Sequence, residues 1–289
     1  MKKGRIIKII SNRYQVLLDD DSIVDTIASG KLRLKMAPKT GDIVNVEIRE
    51  NKHMIVDIKD RFNDLKRPPI ANIDQMLIVV SAKNPDFSVS LVDQMLVMSN
   101  YHRVHPILIV SKIDLLKDSD VKIREYIENY RQSGYTVIES GKDQNTEEIE
   151  KIVNDKFSVL SGQSGVGKST LLNRINPEFE IKTQKISKAL GRGKHTTRHV
   201  QFLPVGNGWV ADTPGFSKID LTVLTVEDLR DSMFEFEQFS CNCRFSDCYH
   251  INEPGCAVIE AVKNNTLAQE RYDNYVKFYK ELKEVRRKY

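Results

Sequence analysis

Along the first 65 residues, five short runs rich in hydrophobic residues are separated by polar, turn-forming residues. Short runs of this kind are typical of β-strands, and glycines such as Gly30 and Gly41 mark breaks between the runs. Five short strands in a segment of this length predict a small barrel of the OB-fold type, although an SH3-like barrel has the same pattern. The runs read GRIIKII, YQVLL, DSIVDTI, DIVNVEI and MIVDI.

After the basic, proline-containing segment 66–69, strand-like apolar runs alternate with helical patterns. The periodicity predicts helices over Val89–Tyr101 and Val121–Gln132, and the apolar runs between helical segments are short enough to be strands. This alternation is typical of a mostly parallel sheet covered by helices on both faces. The strand-like runs read MLIVV, ILIVS, YTVIES, FSVLSG, HVQFL and GWVAD.

Beyond Leu221 the chain holds a short helical pattern, a cysteine-rich segment and a charged helix predicted over 264–288. The whole pattern predicts a multidomain α/β protein with an N-terminal OB-fold β-barrel, a central α/β domain and an α-rich C-terminal domain. The boundaries that we predict for these domains are 1–65, 66–221 and 222–289.

The composition, with 40% hydrophobic and 29% charged residues, is ordinary for a globular protein and argues against a mainly disordered or membrane-embedded one. No segment approaches the ~20 apolar residues that span a bilayer. The N-terminus does not fit a signal peptide, because Lys8 interrupts its apolar stretch and no small-residue cleavage site follows. We therefore expect a cytoplasmic protein that has no membrane partner. We also expect it to be a monomer.

The formal net charge is only +4, so the distribution of the charge matters more than its size. Segment 182–199 holds six Lys or Arg residues and no acid, and segment 263–289 holds eight basic and four acidic residues. Both segments are typical of surfaces that attract RNA phosphates, and the barrel offers a second contact. For the terminal helix, an ordinary solvated face is the alternative.

Residues 162–169 read GQSGVGKS and match the phosphate-loop pattern G-x-x-x-x-G-K-[ST], between a predicted strand and a predicted helix. The glycines let backbone N–H groups face phosphate oxygens, and the helix adds its positive end. Lys168 would reach the β- and γ-phosphates, and the Ser169 hydroxyl would bind Mg²⁺. The residues predicted to bind nucleotide here are Gly162, Gln163, Ser164, Gly165, Val166, Gly167, Lys168, Ser169 and Thr170.

A second element, Ser111, Lys112 and Asp114 in the run SKID, favours guanine as the base. The Asp114 carboxylate can accept from both N1–H and the exocyclic amine of guanine, whereas adenine has no donor pair there. The stem of Lys112 can lie along the base. Ser140 begins the run SGK after a predicted strand and could add a backbone contact to the guanine oxygen.

The run DTPG begins with Asp212 at the end of a predicted strand, where a carboxylate can hold the water shell of Mg²⁺. Gly215 leaves its N–H free to approach the γ-phosphate, as in loops that sense a triphosphate. A Mg²⁺-binding threonine is expected in the preceding run GRGKHTTR. Thr196 and Thr197 both fit by spacing, and we prefer Thr197.

Four residues supply a complete tetrahedral zinc set of three thiolates and one imidazole: Cys243, Cys248, His250 and Cys256. Four protein ligands leave no open position for a substrate, so we predict one structural zinc ion. Cys241 is then a free thiol; a set that uses Cys241 together with Cys243 is the alternative.

In an ordinary GTPase the phosphate loop precedes the guanine element, whereas here SKID comes first, GQSGVGKS second and DTPG last. The chain is therefore circularly permuted, which is compatible with the chemistry because a site needs its parts adjacent in space. With its N-terminal barrel, these motifs and its Cys/His cluster, the chain resembles the RsgA (YjeQ/YloQ) family over essentially its whole length. Members of that family are circularly permuted GTPases of small ribosomal subunit biogenesis.

This resemblance implies an OB-fold, a circularly permuted P-loop GTPase domain and a zinc-binding C-terminal domain. It also implies slow hydrolysis of GTP to GDP that the small ribosomal subunit stimulates, during late maturation of that subunit, with the subunit and its rRNA as partners. Zinc and the magnesium that accompanies GTP are the implied metals.

The catalytic residues that we predict are Lys168, Thr197 and His195. Phe216 stands where many small GTPases have a glutamine that orients water, so unassisted hydrolysis should be nearer ~10⁻⁴ s⁻¹ than ~10 s⁻¹. His195 in the run GRGKHTTR is the candidate replacement, and contact with RNA or solvent is its alternative role.

Two other classes of function fit part of the pattern. One is a nucleotide-gated scaffold or nucleic-acid-binding protein in which hydrolysis is incidental. The other is a P-loop kinase, which SKID, DTPG and the lack of an evident acceptor site disfavour. Turnover of GTP with and without small ribosomal subunits distinguishes these classes.

Overall fold

The structure is a computed structural model that describes residues 1–30, 32, 36–66, 68–142, 146–176, 200–212 and 219–287. It divides into two compact units. The first unit comprises Met1–Leu77 and Gln144–Ser217, and the second unit comprises Ile78–Asp143 and Lys218–Tyr289. Within the described ranges, no helix is both long and apolar enough to cross a membrane.

The first unit begins with a closed barrel of five strands in the order β1-β2-β3-β5-β4. Neighbouring strands are antiparallel except β3 and β5, which run parallel. Alternate side chains such as Tyr14, Val16 and Leu18 point inward and form the barrel core. The prediction of a five-stranded barrel is confirmed. Its strands are β1 (Lys2–Ile10), β2 (Arg13–Leu18), β3 (Ile23–Ala28), β4 (Ile43–Arg49) and β5 (Lys52–Ile58).

The central region alternates strands with helices, as the hydrophobic pattern predicts, and both helices expected from periodicity have the predicted bounds. The strands are β6 (Asp64–Leu65), β7 (Ile70–Ala71), β8 (Gln75–Ser81), β9 (His105–Ser111), β10 (Thr136–Ser140), β11 (Phe157–Ser161), β12 (Phe202–Val205) and β13 (Gly208–Asp212). The helices are α1 (Val89–Tyr101), α2 (Val121–Gln132), α3 (Glu147–Val153) and α4 (Lys168–Ile175).

Within the first unit, β11 pairs in parallel with β13, and β12 pairs antiparallel with β13. The barrel packs on this part of the unit. The Arg5 guanidinium carbon lies 3.8 Å from the centroid of the Phe157 ring, and Arg5 also donates to the Asn72 carbonyl at 2.7 Å. The Thr40 hydroxyl donates to the Val200 carbonyl at 3.0 Å. A barrel of this size buries too little surface to be very stable alone, so these contacts support it.

Within the second unit, β9 and β10 pair in parallel, and the C-terminal helices pack on helix α1. Their shared apolar core includes Val97 of α1 and Tyr275, Phe278 and Tyr279 of the last helix, all buried. The aromatic residues of that helix are therefore packing residues. The C-terminal helices are α5 (Val226–Asp231), α6 (Glu237–Ser240), α7 (Ala257–Lys263) and α8 (Gln269–Arg287).

A buried charged cluster joins α8 to α1 inside the second unit. The Arg271 guanidinium bonds to Asp93 at 2.5 Å and, through Nε, to Glu235 at 2.6 Å. The side chains of all three residues are at most 2% exposed. Tyr130 donates to Asp93 at 2.8 Å and Tyr135 donates to Glu235 at 2.9 Å, so both carboxylates also have neutral hydrogen-bond partners. Such complete pairing is required for charges to be tolerated away from water.

Candidate nucleotide-binding site and metal centre

The predicted phosphate loop connects the carboxyl end of the buried strand β11 to the N-terminus of helix α4. Gly165 and Gly167 have φ angles of +82° and +94°, a region that side chains other than glycine rarely adopt. Val166 is 2% exposed, whereas Ser164 and Gly165 are exposed. The loop is thus anchored at its centre by one apolar side chain, while Ser164 and Gly165 beside it are open to solvent, where a phosphate can approach the backbone.

Lys168 is the first residue of helix α4, and its ammonium group lies inside the loop. It donates at 2.6 Å to the carbonyl oxygens of Gly162 and Gln163. These bonds hold the cation beside the amides that would face a phosphate. Ser169 and Thr170, the next two residues, are exposed at the helix N-terminus, where a metal ion or anion has access to their hydroxyl groups.

Asp212 is the last residue of β13, which runs parallel to β11. In the register of this pair, Asp212 lies opposite Leu160, two residues before Gly162. The carboxyl ends of parallel strands form one edge of a sheet, and ligands of α/β proteins bind at such edges. The structure therefore brings Asp212 to the edge from which the phosphate loop starts.

The guanine element is in the second unit, at the carboxyl ends of two other parallel strands. Ser111 ends β9 and lies opposite Ser140, the last residue of β10. The Ser111 hydroxyl donates to the Val80 carbonyl at 3.1 Å, which fixes the end of β9 against its neighbour. The register thus places the runs SKID and SGK side by side, although 25 residues separate the end of the first from the start of the second.

Asp114 makes direct contact with the SGK run. Its Oδ1 atom accepts a hydrogen bond from the Lys142 backbone N–H at 3.0 Å. A Cβ atom added at Gly141 would be 3.2 Å from the same oxygen, so the absence of a side chain at Gly141 allows the close approach. The Asp114 side chain is exposed, and the hydrogen bond orients it. The importance of Gly141 and Lys142 to Asp114 is visible only in the tertiary structure.

Several predicted residues lie outside the described residues. They are His195, Thr196, Thr197, Gly215 and Phe216. Their predicted roles in magnesium binding and hydrolysis remain predictions.

The Cys/His cluster forms a compact group of four donors. Cys243, Cys248, His250 and Cys256 each offer one ligand atom, and these atoms all lie within 4.8 Å of one another. His250 Nδ1 is 3.6 Å from Cys243 Sγ and 3.4 Å from Cys256 Sγ, and the two sulfur atoms are 4.0 Å apart. Tetrahedral zinc with bonds of ~2.3 Å to sulfur and ~2.0 Å to nitrogen would need separations of roughly 3.5–3.8 Å. The cluster can hold a metal ion of this type.

The surroundings of the cluster also suit a metal. The backbone N–H groups of Ala257 and Ile259 point at Cys243 Sγ and Cys256 Sγ, at 3.4 and 3.5 Å. Such N–H···S contacts stabilise thiolate ligands. Burial lowers the pKa of His250, which keeps the imidazole neutral and able to coordinate.

Burial also raises the pKa of the Cys248 thiol to about 12 and raises the pKa of Cys256. Without a metal ion these two groups therefore stay protonated at neutral pH, and a metal must displace their protons when it binds. Cys241 is exposed and is not part of the group. The set that excludes Cys241 is thus the one whose donor atoms come together.

The buried cluster of Asp93, Glu235 and Arg271 has no signature in the sequence. Charged residues on helices normally face solvent, and nothing in the local spacing of these three distinguishes them from surface charges. Only their partners, which lie at least 36 residues away along the chain, reveal the cluster.

Comparison with known proteins identifies relatives along the whole chain. The family model for the RsgA GTPase matches residues 58–222. A protein of Oceanobacillus iheyensis named small ribosomal subunit biogenesis GTPase RsgA 2 is 43% identical over 293 residues, and the match covers 100% of both chains. The small ribosomal subunit biogenesis GTPase RsgA of Bacillus subtilis is 43% identical over 298 residues, again with 100% of both chains covered.

Two solved structures share the fold. YloQ, described as a circularly permuted GTPase, has a TM-score of 0.85 and 38% identity, with 98% of this chain and 95% of that chain covered. YjeQ from Thermotoga maritima has a TM-score of 0.83 and 33% identity, with 97% of this chain and 98% of that chain covered. The predicted fold class and the permuted order of the motifs agree with these matches.

Proposed function

Because this chain belongs to the RsgA GTPase family, we propose that it binds the small ribosomal subunit and hydrolyses GTP to GDP during late maturation of that subunit. The proposal includes stimulation of hydrolysis by the subunit. The observation that carries it is the presence of two motifs, each at the carboxyl ends of parallel strands within its own unit and in permuted chain order: a guanine element after β9 and a phosphate loop after β11. A P-loop kinase would not need the guanine element.

In this proposal each nucleotide-binding residue binds the part of the ligand that its chemistry suits. The backbone of the phosphate loop and Lys168 hold the β- and γ-phosphates, and Asp114 binds the guanine edge. Ser169 and Thr197 are the proposed magnesium ligands, and Asp212 holds the water shell of the ion. When bound, magnesium would neutralise charge that develops on the phosphate oxygens.

The proposed partners are the small subunit and its rRNA. The basic segment 182–199 and the exposed lysines of α8, Lys277, Lys280 and Lys283, support this part of the proposal, because Lys and Arg attract the phosphate backbone. We also propose the division into domains at 1–65, 66–221 and 222–289, and a monomeric protein in the cytoplasm.

Turnover measured with purified components tests the proposed function. We expect slow GTP hydrolysis by the protein alone, several-hundredfold or greater stimulation by small ribosomal subunits, and no comparable turnover of ATP. The rate constants of assisted GTPases commonly exceed those of unassisted ones by a factor of ~10³–10⁵. His195→Ala is expected to remove the stimulation while GTP affinity stays nearly constant, because we propose that His195 orients the attacking water. GTP binding without turnover in either condition would instead indicate a nucleotide-gated scaffold.

We propose that the four-donor cluster holds one structural zinc ion. Elemental analysis of the purified protein should find about one zinc per chain, and Cys256→Ala should reduce this to near zero. The same variant should lower the melting temperature by roughly 5 °C or more, because metal binding contributes to folding free energy. The matched control is Cys241→Ala, which changes an exposed cysteine outside the group and should keep the zinc. Zinc loss in the control, or zinc retention in Cys256→Ala, would contradict this ligand set.

A further inference from the structure

The loop at residues 81–86 follows β8 and lies against the guanine element, although no motif in the sequence marks it. The Ala82 backbone N–H donates to the Ser111 carbonyl at 2.8 Å. The Lys112 ammonium group donates to the Asn84 carbonyl. The loop is closed on itself by the Ser81 hydroxyl, which donates to the Pro85 carbonyl at 2.6 Å. It therefore contacts two residues of the SKID run.

An ion pair connects this loop to the segment that follows SKID. Lys83 Nζ is 2.5 Å from Asp120 Oδ2, and the side chains are 29% and 19% exposed. The same Asp120 oxygen accepts from the Lys117 backbone N–H at 2.7 Å. The hydrogen bond from Lys83, followed by that from Lys117, lowers the pKa of Asp120, so the pair is fully charged at neutral pH. Asp120 thus ties the loop before the guanine element to the turn after it.

The Asn84 carbonyl accepts a hydrogen bond from the Lys112 ammonium group and so helps to set the position of that group. The backbone of Lys112 has a φ angle of +58°, in the left-handed region, so its side chain leaves the chain at a tight turn. A lysine side chain loses much rotamer freedom when it is ordered, so holding it before the ligand arrives reduces the cost of binding. The hydrogen bond to the Asn84 carbonyl orders the end of the side chain whose methylene stem would lie along a base.

We propose that loop 81–86 is a positioning element of the guanine site, in which the Lys83–Asp120 ion pair holds the Asn84 carbonyl and thereby places the Lys112 stem against the base. This inference rests on the proposed guanine-binding role of Ser111–Asp114. Lys83 acts through Lys112 and is a positioning residue. It sets how tightly guanine nucleotides bind and has no part in the hydrolytic step.

The test is the affinity of the full-length protein for a fluorescent GDP analogue. Lys83→Met should raise the dissociation constant about tenfold, because the Lys112 side chain would then be ordered at the expense of binding and because residues in one network are commonly coupled to this extent. It should raise KM for GTP by a similar factor and change kcat less than twofold. Lys83→Arg keeps the cation and should restore affinity to within about twofold of wild type.

Arg131→Met is the matched control, because it removes a cation from another ion pair of the second unit. Arg131 is 2.7 Å from Glu139 and both side chains are partly exposed, but within the described residues neither side chain forms a hydrogen bond or ion pair with loop 81–86 or the SKID run. This variant should bind GDP as wild type does.

The outcomes separate the two proposals. Unchanged GDP affinity in Lys83→Met, or an equal loss in Arg131→Met, would overturn the positioning role of the loop. A kcat that falls in parallel with affinity in Lys83→Met would also overturn it. Failure of the wild-type protein to prefer GDP over ADP would instead contradict the proposed guanine site, and this comparison is made first.

Discussion

Replacing Arg271 with methionine is expected to lower the free energy of unfolding of the second unit by about 3–5 kcal/mol. The substitution keeps most of the apolar stem but leaves Asp93 and Glu235 buried without their shared cation. Carboxylates that stay ionised away from water without a cation are costly, and this cost exceeds the loss of the ion pair itself. Thermal unfolding followed by circular dichroism should show a melting temperature about 10 °C lower.

Lys277→Met is the control for this prediction, because it removes a cation from an exposed position of the same helix. Exposed charges contribute little, so its melting temperature should stay within ~2 °C of wild type. If Arg271→Met were as stable as this control, the buried cluster would not hold α8 on the rest of the second unit.

The loss of stability in Arg271→Met should depend on pH because of Asp93. Burial raises the pKa of Asp93 to about 6, while Arg271 acts in the opposite direction. An unfolded aspartate titrates near ~3.9, so between about pH 4 and 6 the folded protein binds this proton more readily, and stability falls as the pH rises. Without Arg271 the pKa of Asp93 rises further, so the stability of the variant continues to fall up to a higher pH. The difference from wild type should therefore be smaller at pH 5 than at pH 8.

Asp114→Asn is expected to weaken GDP binding by about 10²-fold or more, measured by titration with a fluorescent analogue. The carboxylate accepts from two donors of guanine, whereas the amide turns one of these acceptors into a donor. A mismatched polar group in a binding site is strongly discriminated against. The asparagine retains an oxygen for the Lys142 N–H, so the local fold should persist. Xanthine has an oxygen in place of the exocyclic amine. The substitution should therefore weaken the binding of xanthosine diphosphate much less than the binding of GDP, or strengthen it.

The control is Asp118→Asn, an exposed aspartate in the segment after the SKID run. Its affinity for GDP should equal that of wild type. Similar affinities for GDP in Asp114→Asn and the control would show that the base is bound elsewhere.

The elements of this fold are largely predictable from local pattern. Short apolar runs bounded by turn residues identified the five barrel strands, and helical periodicity gave the bounds of Val89–Tyr101 and Val121–Gln132. These segments are regular because each buries one face, and the spacing of the buried positions is visible in the sequence. The Cys/His cluster was also predictable, since its ligands lie within fourteen residues and their chemistry is specific.

Other features could not be predicted because they depend on partners that are distant in the chain. The contact of Asp114 with Lys142 follows from the register of β9 and β10, and the sequence does not encode that register locally. The Lys83–Asp120 pair joins two loops that look like ordinary polar turns. Hydrophobic pattern does not report on the pairing of polar groups.

By itself the sequence determined the barrel, the alternating α/β region, the permuted order of the motifs and the four Cys and His residues whose donor atoms come together. Each depends on residue type and spacing over short stretches, which set backbone conformation and ligand chemistry directly. The tertiary structure alone decided that Arg271 is buried between Asp93 and Glu235, and that the loop at 81–86 holds the Lys112 side chain. A charge is stable in the interior only when folding brings its counter-charge to it, and that requirement is met in space and not along the chain.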